Sequence, residues 1–246
     1  MNVGTDPVIS LLDNYGVCTI ALNRPQVLNA MNRELIDGVA TAFNEANADP
    51  ETRAILFTGR GRAFCAGDDR KESSRRFSES EARELVDAIQ DASRAILYGD
   101  KPVVGAINGW AVGGGFEWAI NCDFALWAQS ATGFFPEVSL NLFVTGAVTT
   151  LLPEMVGITR AREMLMLGER YSAQQLFEMG AAWRVVPDDQ LLDAAHKVAR
   201  QLAESPSHPL REMKRILNKS AINNIESALS RETEVTVRCL TEHQKD

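Results

Sequence analysis

The stretch INGWAVGGGFEWA, residues 107–119, limits what this chain can fold into more than any other. Three consecutive glycines, Gly113 to Gly115, follow an apolar run. One carboxylate, Glu117, stands two positions later among Phe116, Trp118, Ala119 and Ile120. A buried strand that ends in such a turn and feeds a helix leaves the first helical N–H groups without intrahelical partners. Glycine lets another group approach that backbone closely, and the helix dipole adds partial positive charge there. Most glutamates sit on a solvated face, but these apolar neighbours make a solvated stripe less natural for Glu117. Two readings follow: a tight structural turn with an incidental acid, or a site where backbone N–H groups and a carboxylate meet a substrate.

A second stretch repeats the pattern. RAILFTG (53–59) reads as a buried strand, runs into the glycines of RGRAFCAGDDRK and is followed by a helix, much as PVVGAING (102–109) leads into GGGFE. Two such turns facing one another aim two N–H donors at one oxygen. That is an oxyanion hole, in which one donor is typically worth about 10²–10³ in rate. A carboxylate beside it in an apolar pocket has a raised pKa and can move protons.

Around these turns, VCTIALN (17–23) and DFALWA (123–128) read as strands, GFFPEVSLN (133–141) as a short strand running into a loop, and 32–50 and 78–99 as helices. Ser78 or Ser80 is placed to cap the second helix, and Gly99 to end it. From residue 145 the chain is mostly helical, with one more strand at AAWRVVP (181–187). Strand and helix alternate up to about residue 140, which predicts an α/β core with a helical C-terminal third.

The bulk numbers bound the function. A net charge of −8 and a pI of about 5.1 argue against nucleic acid or an anionic membrane as partner. No apolar run approaches the roughly 20 residues of a bilayer span, and MNVGTDPVIS lacks the regions of a signal peptide. Cys18, Cys65, Cys122 and Cys239 are scattered without metal or redox spacing, so reduced thiols in the cytoplasm are expected. His196, His208 and His243 all lie in the last quarter, far from the glycine-rich centre, so neither a Ser-His-Asp triad nor a His-rich metal site is expected. Phosphate-loop and dinucleotide fingerprints are both missing.

Taken together and in order, LNRPQVLNAMN (22–32), GRAFCAGDD (61–69), KPVVGAINGWAVGGGFEWAINCD (101–123), PEV (136–138) and residues 158–187 resemble the crotonase superfamily, the enoyl-CoA hydratase/isomerase family. The resemblance implies a spiral of repeated ββα units over 1–189 and a helical C-terminal trimerisation region over 190–246. It also implies a homotrimer or a dimer of trimers. An acyl-CoA thioester is the implied substrate, with coenzyme A entering only as part of it and no metal or other cofactor. The thioester oxygen would lie between the N–H groups of Asp68, after Ala66-Gly67, and Gly114. Glu117 and Glu137 match the family's two acids. Hydratases use both to hold water and protonate the α-carbon, whereas isomerases can work with the second alone. Leu28, Ala30 and the Ala66 carbonyl would line the coenzyme A channel. Arg24, Arg62, Lys71, Arg75 and Arg76 are phosphate candidates, the last three also reading as a solvated loop. Trp110, Phe134, Phe135 and Phe143 are candidates for the acyl pocket, with core packing as their alternative.

Two departures matter. The family's usual residue at position 68 is Ala, and a charged Asp68 beside a developing oxyanion is unhelpful unless it points away; Asp68-Asp69 also reads as a capping pair. After Glu137, SLNLFVTGAVTTLL replaces the family's glycine-rich segment, and Asn141, Phe143, Val144 and Thr145 occupy the region that shapes the water site. The sequence therefore points first to a 2-enoyl-CoA hydratase of fatty acid metabolism. The alternatives are a double-bond isomerase, a branched or aromatic acyl-CoA hydratase or hydrolase, and a non-catalytic CoA-binding paralogue.

Overall fold

The computed structural model describes residues 6–69, 77–218 and 225–242. Lys71, Arg75, Arg76 and His243 lie outside these residues. Among the described residues, ten strands form two sheets. β1 (Val8–Leu12), β2 (Val17–Leu22), β3 (Ala54–Gly59), β5 (Val103–Ile107), β7 (Phe124–Ala128) and β10 (Arg184–Val186) make a six-stranded sheet in the order 1-2-3-5-7-10. β1 and β2 are antiparallel; every later pair is parallel. β3 and β5 are buried along their whole length, as parallel strands covered on both faces must be.

The second sheet is built from the turns. β4 (Ala63–Cys65), β6 (Trp110–Val112) and β8 (Thr132–Phe134) pair in parallel, and β9 (Tyr171–Ser172) closes the edge antiparallel to β8. β3, β5 and β7 are each followed by a short outer strand and then by a helix or helical turn, the repeated ββα spiral that was expected. β4, read from the sequence as loop, is a strand of only three residues, and β1 has no counterpart in the sequence reading.

The helices follow their local signals. α1 (Arg33–Ala48) starts at Asn32, whose side chain accepts from the Leu35 N–H, and stops before Pro50. α2 (Glu79–Tyr98) takes Ser78, not Ser80, as its cap, in a reciprocal box with Glu81. α3 (Gly114–Asn121) begins inside the glycine triplet. α4 (Val148–Val156), α5 (Ile158–Arg162) and α6 (Ala173–Met179) follow, then α7 (Leu191–Glu204), α8 (Ser207–Ile216) and α9 (Ile225–Glu242).

Within the described residues the packing continues across residues 189 and 190. α7 lays Leu191, Ala195, Ala199 and Ala203 against the six-stranded sheet, where alanines at i, i+4 and i+8 permit close approach. α9 packs on α2 and α4 of its own chain. Its Ile225, Ala228 and Leu229 belong to the same buried cluster as the sheet.

Candidate active site

The two glycine turns meet. Gly67 has φ +80°, and a Cβ there would stand 2.9 Å from the Val112 carbonyl oxygen, so the AG turn lies directly against the end of β6. Gly113 has φ +53°, in the region glycine favours. Its N–H continues the outer sheet by donating to Phe134 O at 3.0 Å, and its own carbonyl accepts from Phe116 and Glu117 at 2.8 and 3.0 Å. The helix has therefore begun at Gly114, and that residue's N–H is one of the first-turn donors left without an intrahelical acceptor.

Asp68 pairs with Met31 in a parallel bridge. Met31 N–H donates to Gly67 O at 2.8 Å and Asp69 N–H donates to Met31 O at 2.9 Å. The ladder uses the residues on either side of Asp68, so the Asp68 N–H faces away from Met31. Met31 also reaches the other turn, since its Sδ lies 2.8 Å from where a Cβ on Gly114 would be. Met31 thus touches both donor-bearing turns, one through its backbone and the other through its thioether, a link the sequence reading missed because nothing local announces it.

Glu117 and Glu137 are both buried. The carboxylate of Glu117 is held by one residue: Thr145 N–H donates to Oε1 at 2.7 Å and Thr145 Oγ donates to Oε2. Desolvation nevertheless pushes its carboxyl up to about 8. The charges of Glu232 and Asp68 push the same way, and the Thr145 bonds partly oppose them. Glu137 sits on a short 3₁₀ turn (Glu137–Leu140) closed by Asn141 in the left-handed region. A Cβ on Gly113 would stand 2.5 Å from Glu137 Oε1, so this acid rests on the glycine turn itself. Its Oε2 is buried with no hydrogen-bond partner among the described residues. Burial first, and the neighbouring Glu117 charge second, hold the Glu137 carboxyl well above the ordinary carboxylate range.

Asp68 reaches solvent at the rim of this cluster. Its surroundings still desolvate it enough to raise its carboxyl to about 6. No helix-capping bond from its side chain is recorded among the described residues. Asp69 instead forms an ion pair with Arg24 at 3.1 Å, and Arg24 also donates to the Ala30 carbonyl. Arg24 is thus already engaged as a clamp between the two loops. Leu28 accepts from Ala66 N–H at 3.1 Å, which brings Leu28, Ala30, Ala66 and Gly67 together. Buried Asn29 locks this junction by donating to the carbonyls of Arg60, Ala63 and Phe64 at 2.9–3.1 Å. The left-handed backbone of Leu28 and Asn29 is what turns the segment inward.

The aromatic candidates divide. Trp110 is partly exposed, lies edge-on to Phe134, and shares Arg170 with it; the guanidinium is 5.6 and 5.1 Å from the two rings. Phe135 stacks on Phe116 at 4.7 Å in the core, and Phe143 packs at the core's edge. Phe135 is buried in the core and Phe143 half-buried at its edge, so core packing accounts for both. Arg62 is exposed at the β3–β4 turn. Among the described residues no group of three or more His, Cys, Asp or Glu could hold a metal ion. A concavity of about 490 Å³ bordered by Leu97, Tyr98, Arg211, Lys214 and Ile225 lies apart from the acids.

Comparison with known proteins agrees with this geometry. The profile of the family described as enoyl-CoA hydratase/isomerase matches residues 13–246. The chain is 34% identical over 221 residues to 1,2-epoxyphenylacetyl-CoA isomerase of Escherichia coli (88% of this chain, 84% of that protein). It is 32% identical over 232 residues to crotonyl-CoA hydratase of Syntrophomonas wolfei (94% and 89%). An enoyl-CoA hydratase/isomerase structure from Xanthobacter autotrophicus superposes with a TM-score of 0.89 at 28% identity, covering 96% of this chain and 87% of that one. An enoyl-CoA hydratase structure from Mycobacterium avium superposes with a TM-score of 0.87 at 28% identity, covering 97% and 95%. With its two glycine turns, its buried acid pair and this match along nearly its whole length, the chain belongs to the enoyl-CoA hydratase/isomerase family.

Proposed function

We propose that this enzyme adds water across the double bond of a 2-enoyl-CoA. The observation that carries the reading is the pair of buried carboxylates, Glu117 and Glu137, held at the turn whose Gly114 N–H is unclaimed by the helix. In this reading the thioester oxygen accepts from the Asp68 and Gly114 N–H groups, which stabilise the enolate more than the ground state. Water lies between the acids. One carboxylate takes a proton as the water oxygen bonds to the β-carbon, and the other, protonated because burial favours its neutral form, gives a proton to the α-carbon. Leu28, Ala30 and Ala66 line the coenzyme A channel. Arg24, through its Asp69 clamp, holds that channel's two loops together, and Trp110 borders the acyl end.

One observation favours a second reading. Thr145 engages both oxygens of Glu117, whereas Glu137 Oε2 is unpartnered among the described residues. If Glu117 is fully occupied, Glu137 alone shuttles a proton between the α- and γ-carbons, which is double-bond isomerisation. The relatives named above include both a hydratase and an isomerase. A homotrimer or dimer of trimers is part of the proposal. Exposed Val138 and Leu140 on one turn, beside Met166 and Leu167 on the turn packed against it, form an apolar patch suited to a second copy. The four cysteines, none of them in a disulfide among the described residues, fit a cytoplasmic setting, and no described helix is long and apolar enough to cross a membrane.

The test is turnover of straight, branched, aromatic and 3-enoyl thioesters in H₂¹⁸O, read by mass spectrometry. Label at the β-carbon is expected. A double bond that moves without label replaces hydration with isomerisation, and thioesters that bind without reacting overturn both.

A further inference from the structure

Residues 145–149 join the acid pair to the C-terminal helix. Thr145 supplies both hydrogen bonds to Glu117, and its own carbonyl accepts from Val148 N–H at 3.2 Å. The next residues are tied from outside. Gly146 N–H donates to Gln90 Oε1 at 3.0 Å, and Gly146 O accepts from Asn121 at 2.8 Å. Gln90 in turn donates to the Leu229 carbonyl of α9 at 3.1 Å. Ala147, in the left-handed region, opens α4 without a capping side chain of its own.

Glu232, from the middle of α9, supplies the missing cap. Its Oε2 accepts from Ala147 N–H at 2.8 Å, and its Oε1 accepts from Thr149 N–H at 2.9 Å and Thr149 Oγ at 2.7 Å. The side chain is only 1% exposed. A buried carboxylate carries a desolvation cost, and here three donors converge on it at a helix N-terminus, the place where negative charge is best tolerated.

We propose that Glu232 is a positioning residue for the acid pair: from the C-terminal helix it fixes residues 145–149, and through Thr145 it sets the orientation of Glu117. The inference rests on the acid-pair reading above. The charged groups facing Glu117 are Glu137, Asp68 and Glu232 itself, so its only hydrogen-bond donor counterweight among the described residues is Thr145. Gln90 and Thr149 face Glu232 and carry no charge. Arg83 and Arg94 of α2 are spent on Glu234 and Glu226 on the outer side of α9.

The experiment compares the full-length protein with Glu232→Ala and Glu232→Gln by hydrogen exchange, and follows the Glu117 carboxyl band by isotope-edited infrared spectroscopy, the band being assigned by its loss in Glu117→Gln. In Glu232→Ala, protection of the 145–149 amides is expected to fall at least about tenfold while β3 and β5 keep theirs, and the Glu117 band is expected to move. Turnover should drop roughly tenfold to a hundredfold with KM within about threefold, as expected for a misplaced catalytic group. Glu232→Gln, which keeps one carbonyl acceptor, should recover part of each. Should Glu232→Ala fail to fold, Thr149→Val at its exposed site removes one of the three bonds and should show a smaller loss in the same direction. Unchanged protection at 145–149 with an unmoved Glu117 band overturns the proposal. So does a uniform loss of protection with full turnover per folded enzyme. If no thioester reacts but the strap loosens and the band moves, the assigned reaction fails while this coupling stands.

Discussion

Glu117 and Glu137 are the same residue type, equally withdrawn from water, and yet they are held in opposite ways. Glu117 projects from the first turn of a regular helix, and Thr145 satisfies both of its oxygens. Glu137 projects from a four-residue 3₁₀ turn, rests on Gly113 and leaves one oxygen without a partner among the described residues. Hydrogen bonds to a carboxylate favour its charged form, while burial without them favours the neutral form. The pair is therefore asymmetric by construction. Glu117 is the fixed member, with both oxygens hydrogen-bonded, and Glu137 is the member with one oxygen unpartnered among the described residues; in the proposed reaction the first serves as base and the second as proton donor. Two carboxylates whose surroundings separate their proton affinities can act as base and acid at one pH.

Removing the mobile proton should have the largest effect. Glu137→Gln keeps the shape and the contact with Gly113 but cannot exchange a proton. Turnover of crotonyl-CoA, followed by loss of enoyl absorbance, is expected to fall by roughly 10²–10⁴ with little change in KM. A loss below tenfold would assign the proton transfer elsewhere. Glu117→Gln should cost less, on the order of 10² in hydration, because its amide still bonds to Thr145 and loses only the base. If that variant retains 3-enoyl isomerisation while hydration is gone, the two acids divide exactly as their hydrogen bonds do, with Glu137 sufficient for proton movement and Glu117 needed for water.

What could be read from the sequence follows from how far each determinant reaches along the chain. The glycine turns and the first-turn position of Glu117 are local features, and the structure has them where GRAFCAGDD and AVGGGFE put them. The Ser78 cap and the stop before Pro50 are local as well. β4 and β6 are three residues each and exist by pairing with neighbouring strands of the outer sheet, which no periodicity within three residues can signal. Thr145 was visible as an unusual residue after PEV, but its role depends on meeting Glu117 across 28 residues. Glu232 reaches Ala147 across 85 and had only the look of one more acid on an amphipathic helix. Phe135 shows the converse: an aromatic beside the acids invites a pocket role, and its stacking on Phe116 decides for the core. Asn29 could have been suspected, because asparagine tolerates the left-handed backbone that the LNA turn adopts.

The smallest effect is on stability, and its sign follows from the same asymmetry. The Glu117 carboxyl stands at about 8 in the fold, against an ordinary 4.5, and Glu137 and Glu232 are raised in the same direction. Between these limits the folded chain holds more protons than the unfolded one, so stability falls as pH rises. The contribution of Glu117 is intact below about 4.5 and is progressively lost until pH passes about 8. Glu117→Gln cannot ionise, so its melting temperature should match or trail that of the parent near pH 5 and exceed it by a few degrees near pH 8.5, where ~1 kcal/mol corresponds to roughly 2–4 °C in a chain of this size. Some slope should survive in the variant, because Glu137 and Glu232 still ionise. Parallel melting curves across that range would mean that Thr145 alone offsets the burial of Glu117. The fixed acid would then be a permanent anion, and Glu137 the member of the pair able to trade a proton near neutral pH.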